Sequence, residues 1–400
     1  MSNNQSILKV EQALKDLQQG KLIIVADSTE REAEGDMIGL ADFVSPENVN
    51  YMIQNARGLL CVPMSSAVAR KLDLNLMSQS HDAFHTAFTI STDSKMTTTG
   101  ISAFDRAKTI KALADSNNPK DFYHPGHIFP LIAADDGVLE RDGHTEAAVD
   151  LARLTHATPV AYICEVVKDN GKMARRADLK AFAQKENLTL ITIEDIINYR
   201  FEKDSTVLKS VSDVDLPTKF GHFRLKTLTF KDEPILVIYK GKIENQEDLL
   251  VRIHSECFTG DILGSKRCDC GQQLEQSLIK IEKNGSGMLI YLHQEGRGIG
   301  LINKLKAYQL QDQGLDTVEA NLKLDLPADK RDYRMVVAIL KRLKVGSIEL
   351  LTNNPDKVKQ LENLGIKVKR VALEMKPNSS DQKYLETKKH KFHHLLNEVD

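Results

Sequence analysis

Three of the chain's five cysteines stand close together, at Cys257, Cys268 and Cys270. Cys257 ends an apolar run that reads as a strand, and Gly271 opens a helical pattern, so the loop between them can fold three sulfurs around one ion. Thiolates suit zinc, and three protein ligands leave a fourth position for water, whose pKa falls to about 7 on the metal. Spacing alone leaves other readings open: the cysteines could be small buried hydrophobes, or a distant histidine could close a structural site, with His254 the nearest candidate.

Two segments beside the cysteines carry phosphate-handling chemistry. Arg252-Ile-His-Ser-Glu256 runs straight into Cys257, and Gln294-Glu-Gly-Arg-Gly-Ile-Gly300 leads from a strand into a helix. Backbone N–H groups at a helix start together with a guanidinium fit a polyphosphate, although these glycines do not form the dinucleotide fingerprint. In the first half, Arg31-Glu-Ala-Glu-Gly-Asp36 follows a buried strand, and Arg141-Asp-Gly-His-Thr145 precedes a helix. A carboxylate from one loop and an imidazole from the other suit magnesium, with Thr145 at a helix start to hold a phosphate. Glu165 lies within the apolar run Ala161–Val167, where desolvation is expected to raise its pKa toward general acid–base use.

These loops need elements to hold them. Apolar residues at helical spacing from Ile7 to Leu17, a strand over 21–26, helices over 145–155 and 177–186, and strands over 160–167 and 190–193 make the first half α/β. Between Phe201 and Thr218 the periodicity lapses and the stretch reads as a linker, which places a boundary near 203. Beyond it, strands over 235–239, 251–254 and 288–292 and helices over 272–283, 301–313, 333–343 and 356–364 are expected. The fold class is therefore α/β (mixed α+β), in two tandem domains, 1–202 and 203–400, each a mixed sheet with packed helices. A net charge of −2 gives no basic field for nucleic acid. No run of about 18 apolar residues offers a membrane span, and the polar first residues lack a leader pattern. A soluble protein of the reducing cytoplasm is expected, without nucleic-acid or membrane partners.

The strings RIHSECFTGD, RCDCG, YLHQEGRGIGL, DTVEAN and LLTNNPDKV, within a match that covers essentially Arg252 to Leu396, resemble GTP cyclohydrolase II. The resemblance implies hydrolysis of GTP to 2,5-diamino-6-(5-phosphoribosylamino)pyrimidin-4-one with loss of formate and pyrophosphate. It implies zinc on Cys257, Cys268 and Cys270, and magnesium with the nucleotide. GTP contacts are implied at Arg252, Ile253, His254, Ser255, Glu256, Gln273, Glu295, Gly296, Arg297, Thr317, Thr352 and Lys357. Asp329 is implied as proton acceptor and Arg331 as nucleophile toward the α-phosphorus. A guanidinium, with its pKa above 12, is a poor nucleophile, so a phosphate-clamping Arg331 is the competing reading. Asp325 and His393 stand where glycine is usual.

Across Ile7 to Tyr199 the strings REAEGD, TTTGISAFDRAKTI, HPGHIFPL, GVLERDGHTEAAVDLARL and ICEVV resemble 3,4-dihydroxy-2-butanone 4-phosphate synthase. This implies a metal-dependent rearrangement of D-ribulose 5-phosphate that expels C4 as formate. Glu32 and His144 are implied to hold magnesium or manganese. Arg31, Glu32, Asp36, Arg141, Asp142, Gly143, His144, Thr145 and Glu165 are implied to meet the substrate, with His127 and Glu165 essential to catalysis. Here the chain departs further from the pattern. Ser28 and Thr29 replace acidic residues, Ala33 replaces an asparagine, and the stretch Leu76–Phe84 lacks its usual string. Asp135-Asp136 stands near a usual glycine pair, and Lys168 and Lys172 replace an asparagine and a threonine. Both resemblances imply a homodimer. The expectation is a bifunctional enzyme of riboflavin biosynthesis; its alternatives are a cyclohydrolase with an impaired first half, or a zinc-stabilised regulatory nucleotide binder.

Overall fold

The computed structural model describes residues 3–28, 31–78, 85–231, 233–327 and 329–397. Thr29 and the part of the 76–84 stretch from 79 on lie outside the described residues. The chain divides into two compact units between Arg200 and Phe201, each built on a seven-stranded mixed sheet, as the α/β pattern led one to expect.

The first sheet holds β1 (Ile23–Ala26), β2 (Gly35–Leu40), β3 (Cys61–Ser65), β4 (Thr92–Ser94), β5 (Phe122–Ala133), β6 (Ala161–Glu165) and β7 (Leu190–Thr192), in the order β4-β5-β3-β6-β2-β1-β7. Strands β1, β2 and β3 are buried along their whole length because both faces are covered. Ile24, Met37, Val62 and Cys164 share one core with Met52, Ile110 and Leu179 from surrounding helices. Register does the positioning: Asp36 pairs with Glu165, and Phe129 and Ile163 both pair with Cys61. Helix His144–Leu154 is almost wholly buried, and it carries Asp150, which bonds Arg200 at 2.9 Å and the Val138 N–H at 2.9 Å. Gly137 adopts φ +61° there, where a Cβ would come within 2.0 Å of Asp150 Oδ1. This buried pair fixes the turn that leads into Arg141 and His144.

The second sheet runs β14-β13-β11-β12-β10-β9-β8, from β8 (Lys209–Thr218), β9 (Gly221–Phe230), β10 (Glu233–Lys240), β11 (Leu249–Ser255), β12 (Gly287–Leu292), β13 (Ser347–Leu351) and β14 (Lys367–Val371). Strands β14, β13, β11 and β12 are parallel, and β10 to β8 continue antiparallel. The linker reading of 201–218 is corrected: a helix runs on to Lys203 and β8 occupies Lys209–Thr218. As an edge strand exposed over most of its length, β8 carries no apolar alternation to read, and Pro217 is tolerated at such an edge. Among the described residues, no helix is long and apolar enough to cross a membrane.

Asp150→Ala is expected to cost the first unit about 3–5 kcal/mol, because it strands a largely buried guanidinium. A urea midpoint equal to that of the parent protein would show that this pair does not hold the turn.

Candidate active sites in the two units

In open parallel sheets, ligands gather at the carboxyl ends of the strands, and the second unit follows this rule. β11 ends at Ser255 and delivers Glu256 and Cys257; β12 delivers the 294–300 loop; β13 delivers Thr352, Asn353 and Asn354. One cavity is lined by Arg252, His254, Ser255 and Glu256, the three cysteines, Gln273, Glu295 to Arg297, Thr317, Arg331, Thr352 and Lys357. The side chain of Ile253 is absent from that lining and fully buried; its carbonyl accepts from Lys357 Nζ at 2.9 Å. Its assigned contact is therefore not made by the side chain.

The three sulfurs lie within 4.8 Å of one another, with Cys257 and Cys268 at 3.7 Å and all three cysteines free. A Cβ on Gly260 would stand 3.0 Å from Cys257 Sγ and 3.2 Å from Cys268 Sγ, so a glycine lets the loop close on them. Hydrogen bonding from Cys268 and Cys270, together with the Lys304 ammonium, holds the Cys257 thiol far below the ordinary range, which suits a thiolate ligand. Lys304 Nζ lies 3.1 Å from Cys257 Sγ and 2.7 Å from Glu295 Oε1. His254 does not join the sulfurs. Its Nε2 is bonded to Asp261 at 3.0 Å, and Asp261 also takes the Cys257 N–H and the Tyr291 hydroxyl, each at 3.0 Å. The donor set among the described residues is three soft ligands, a set that zinc accepts.

Around the sulfurs, the Arg252 guanidinium is buried and held by Leu351 O at 2.8 Å and Gln273 Oε1 at 2.6 Å. Burial lowers its pKa to about 10, and burial beside Arg252 and Arg331 drives Lys357 well below a normal lysine. Arg252 Nε, His254 Nδ1, Ser255 Oγ, Arg297 Nη1 and Tyr333 Oη are buried without a hydrogen-bond partner among the described residues. Such atoms are costly unless a ligand meets them. Both carboxylate oxygens of Glu295 are engaged, with Lys304, the Gly296 N–H and the Phe258 N–H, so it ties the glycine loop to the cysteine loop. Gly296, Arg297, Gly298 and Gly300 all have positive φ, a sharper turn than the helix start read from the sequence. Arg331 Nε sits 2.9 Å and 3.1 Å from the two oxygens of Asp329. Burial opposes its charge, but Tyr333 and Asp329 outweigh that and hold Arg331 above a normal guanidinium.

In the first unit Glu32, His144 and Asp27 bring ligand atoms within 4.8 Å of one another; Asp27 is the member that sequence reasoning left out. Its two oxygens also order the loop, taking the N–H groups of Glu32 and Glu34 and, at 3.1 Å, Arg31 Nη1. Arg31 reaches Glu32 at 2.7 Å and Asp142 at 4.0 Å. His144 Nε2 is buried and unpartnered, and burial lowers its pKa, as a neutral metal ligand requires. Burial and the neighbouring Glu165, Glu32, Glu34 and Asp27 raise Asp36 well above the carboxylate range. Glu165 ends β6 and is half-buried, not enclosed by the strand as its apolar neighbours suggested; its Oε2 accepts the Leu59 N–H at 2.8 Å. Gly143 caps helix His144–Leu154, whose first turn buries Thr145, and Arg141 is tethered to Glu146 and Thr86. His127 stands apart: by register it lies two strands from Glu165, about 10 Å. Its Nδ1 pairs with Asp93 at 2.6 Å, and only a glycine fits at 100, where a Cβ would lie 2.4 Å from that nitrogen. Three departures from the family patterns share one feature, since Ala33, Asp325 and His393 all have left-handed φ, at 57°, 56° and 53°.

The family model for 3,4-dihydroxy-2-butanone 4-phosphate synthase matches residues 11–199, and that for GTP cyclohydrolase II matches residues 209–372. A relative named riboflavin biosynthesis protein RibBA, from Bacillus cytotoxicus, is 50% identical over 394 residues, covering 97% of this chain and 99% of its own. The RibBA of Bacillus mycoides is 50% identical over 396 residues with the same coverage. Among solved structures, RibBX, a two domain 3,4-dihydroxy-2-butanone 4-phosphate synthase from A. baumannii, matches with a TM-score of 0.63 at 33% identity, over 86% of this chain and 93% of that one.

His254→Gln is expected to leave the metal content of the purified protein unchanged, since the imidazole is spent on Asp261. Loss of metal in that variant would make His254 a ligand and the site a closed one.

Proposed function

The chain belongs to the riboflavin biosynthesis proteins that join a 3,4-dihydroxy-2-butanone 4-phosphate synthase to a GTP cyclohydrolase II, and from that premise we propose how its residues divide the work. The protein is a bifunctional enzyme. One reaction opens the guanine ring of GTP with loss of formate and pyrophosphate; the other converts D-ribulose 5-phosphate to 3,4-dihydroxy-2-butanone 4-phosphate and formate. Residues 1–202 carry the synthase and 203–400 the cyclohydrolase. The observation that carries the cyclohydrolase reading is the convergence of three thiols, several cationic side chains and partnerless buried polar atoms on one cavity.

Cys257, Cys268 and Cys270 would hold zinc, which when bound supplies Lewis acidity and activates water at neutral pH. Arg252, Arg297, Arg331 and Lys357 offer the triphosphate its counter-charge, with Thr352 and Thr317 as polar contacts and Ser255 and His254 presenting their unpartnered atoms. Gln273 positions Arg252, and the magnesium that accompanies the nucleotide shares the pyrophosphate charge. For Arg331 we favour the clamp over the nucleophile: Asp329 grips the guanidinium with both oxygens, and removing a guanidinium proton would take from that carboxylate its counter-charge.

In the synthase, Glu32 and His144, with Asp27 beside them, would hold magnesium or manganese, which when bound polarises the carbonyl and hydroxyl oxygens of the sugar. Arg141 and the helix start at Thr145 receive the phosphate. Asp36 and Glu165 sit in the acidic group around His144, where Asp36 keeps its proton and Glu165 exchanges one with the substrate. His127 is a second acid–base group, and Asp93 fixes its ring and tautomer as a carboxylate commonly does. The buried free thiols suit a reducing cytoplasm, and a homodimer remains our reading from the family.

Purified protein given zinc and magnesium is expected to release formate from GTP and, separately, from D-ribulose 5-phosphate; formate from GTP alone would mean that the first unit's departures inactivate it. Asp93→Asn is expected to lower synthase turnover about 100-fold with GTP turnover unchanged, and full synthase turnover would remove Asp93 from this role.

A further inference from the structure

The match to the cyclohydrolase family model stops at residue 372, yet the chain beyond it is built into the second unit's site. Helix Gln382–Lys391 and the irregular tail after it bring Tyr384, Lys388, His394 and Leu396 to the wall of the cavity that holds the three cysteines. The tail is fastened at several places. The Leu395 N–H bonds Asn353 O at 2.9 Å, one residue past Thr352. Lys391 bonds Asp316 and, at 3.2 Å, Glu319, at the start of the helix that carries Thr317. Phe392 lies flat enough against Arg297 for the guanidinium carbon to stand 3.9 Å from its ring centre.

The most telling contact is Lys388 with Asp269. Asp269 is the residue between the cysteines Cys268 and Cys270, and its side chain is only 3% exposed. Lys388 Nζ lies 2.5 Å from its Oδ1 and is itself 8% exposed. The other carboxylate oxygen takes the Gln273 amide, and Gln273 in turn takes Arg252 Nη2 at 2.6 Å. A buried relay thus runs from the C-terminal helix, through the cysteine loop, to the arginine at the floor of the cavity. Without Lys388, a carboxylate would be buried beside three sulfurs that must also carry negative charge, and like charges in a dry site repel strongly. Burial and the charges of Lys388, Arg297, Arg331 and Lys357 also push the His394 imidazole down to about 2.

We propose that residues 381–396 are a working part of the zinc and GTP site, with Lys388 a positioning residue that balances Asp269 and so sets the cysteine loop and Arg252. This rests on the cyclohydrolase reading. It makes Tyr384, Lys388 and His394 the wall of the nucleotide site that faces the 294–300 loop, and it joins metal retention to GTP affinity through one ion pair.

The test uses the full-length protein and three variants: Lys388→Met, Lys388→Arg, and Lys388→Met combined with Asp269→Asn. Zinc retention is read by competition with a chelator, and KM and kcat for GTP by formate release; far-UV circular dichroism and the urea midpoint report that the second unit is folded, and formate from D-ribulose 5-phosphate that the first unit is. Lys388→Met is expected to lose about 10- to 100-fold in zinc affinity and to raise KM for GTP, with synthase turnover intact. Lys388→Arg should recover both, and the double variant should recover most of the zinc affinity, since it removes the stranded charge. Zinc affinity and KM within twofold of the parent in Lys388→Met would overturn the proposal, as would a double variant no better than the single one. If the parent releases no formate from GTP, the cyclohydrolase reading fails, while zinc competition still decides the role of Lys388.

Discussion

Three cysteine sulfurs held within 4.8 Å of one another cannot all be thiolates in a dry interior unless positive charge stands close by. Much of the second unit can be understood as the answer to that constraint. The parallel strands β11, β12 and β13 end together and bring their loops to one place. Gly260 lets the 257–270 loop close. Lys304 lays an ammonium on Cys257 and hands its other contact to Glu295, which anchors the glycine loop. Asp261 takes the His254 imidazole and fixes the Cys257 backbone. The cavity that holds the three cysteines also presents Arg252, Arg297 and Lys357.

The first unit meets a related problem with harder donors. Glu32, Asp27 and a neutral His144 form a group suited to a small oxygen-loving cation, and Arg31 lies against both carboxylates at 2.7 and 3.1 Å. Burial and the acidic residues around His144 together raise Asp36. The Asp93–His127 pair stands two strands from Glu165, with its own glycine, Gly100, making room. Both reactions expel formate, but neither product is the other's substrate, so nothing in the chemistry asks the two units to pass an intermediate.

How much of this was legible depended on the physical signal each residue leaves in a sequence. Buried strands such as β11 and β12, and helices with an apolar stripe, announce themselves by period, and the cysteine spacing by chemistry. β8 escaped because an exposed edge strand has no apolar face to show. Lys304 and Asp269 escaped for a different reason: a charge on a buried helical face looks like any surface lysine, and its partner is remote in the chain. Lys304 lies 47 positions from Cys257, and Lys388 lies 119 from Asp269. The one available hint was that Lys304 falls on the same stripe as the buried Ala307. The departures at Ala33, Asp325 and His393 were visible as substitutions, but only the backbone shows that each occupies a left-handed position, costing roughly 1–2 kcal/mol where glycine would cost little.

The central claim is that the three cysteines form an open, catalytic metal centre and not a closed structural one. X-ray absorption at the zinc edge of the purified protein tests this directly. The account predicts three sulfur neighbours at about 2.3 Å and one lighter atom that responds to added GTP. A first shell completed by a fourth protein ligand and indifferent to GTP would contradict it.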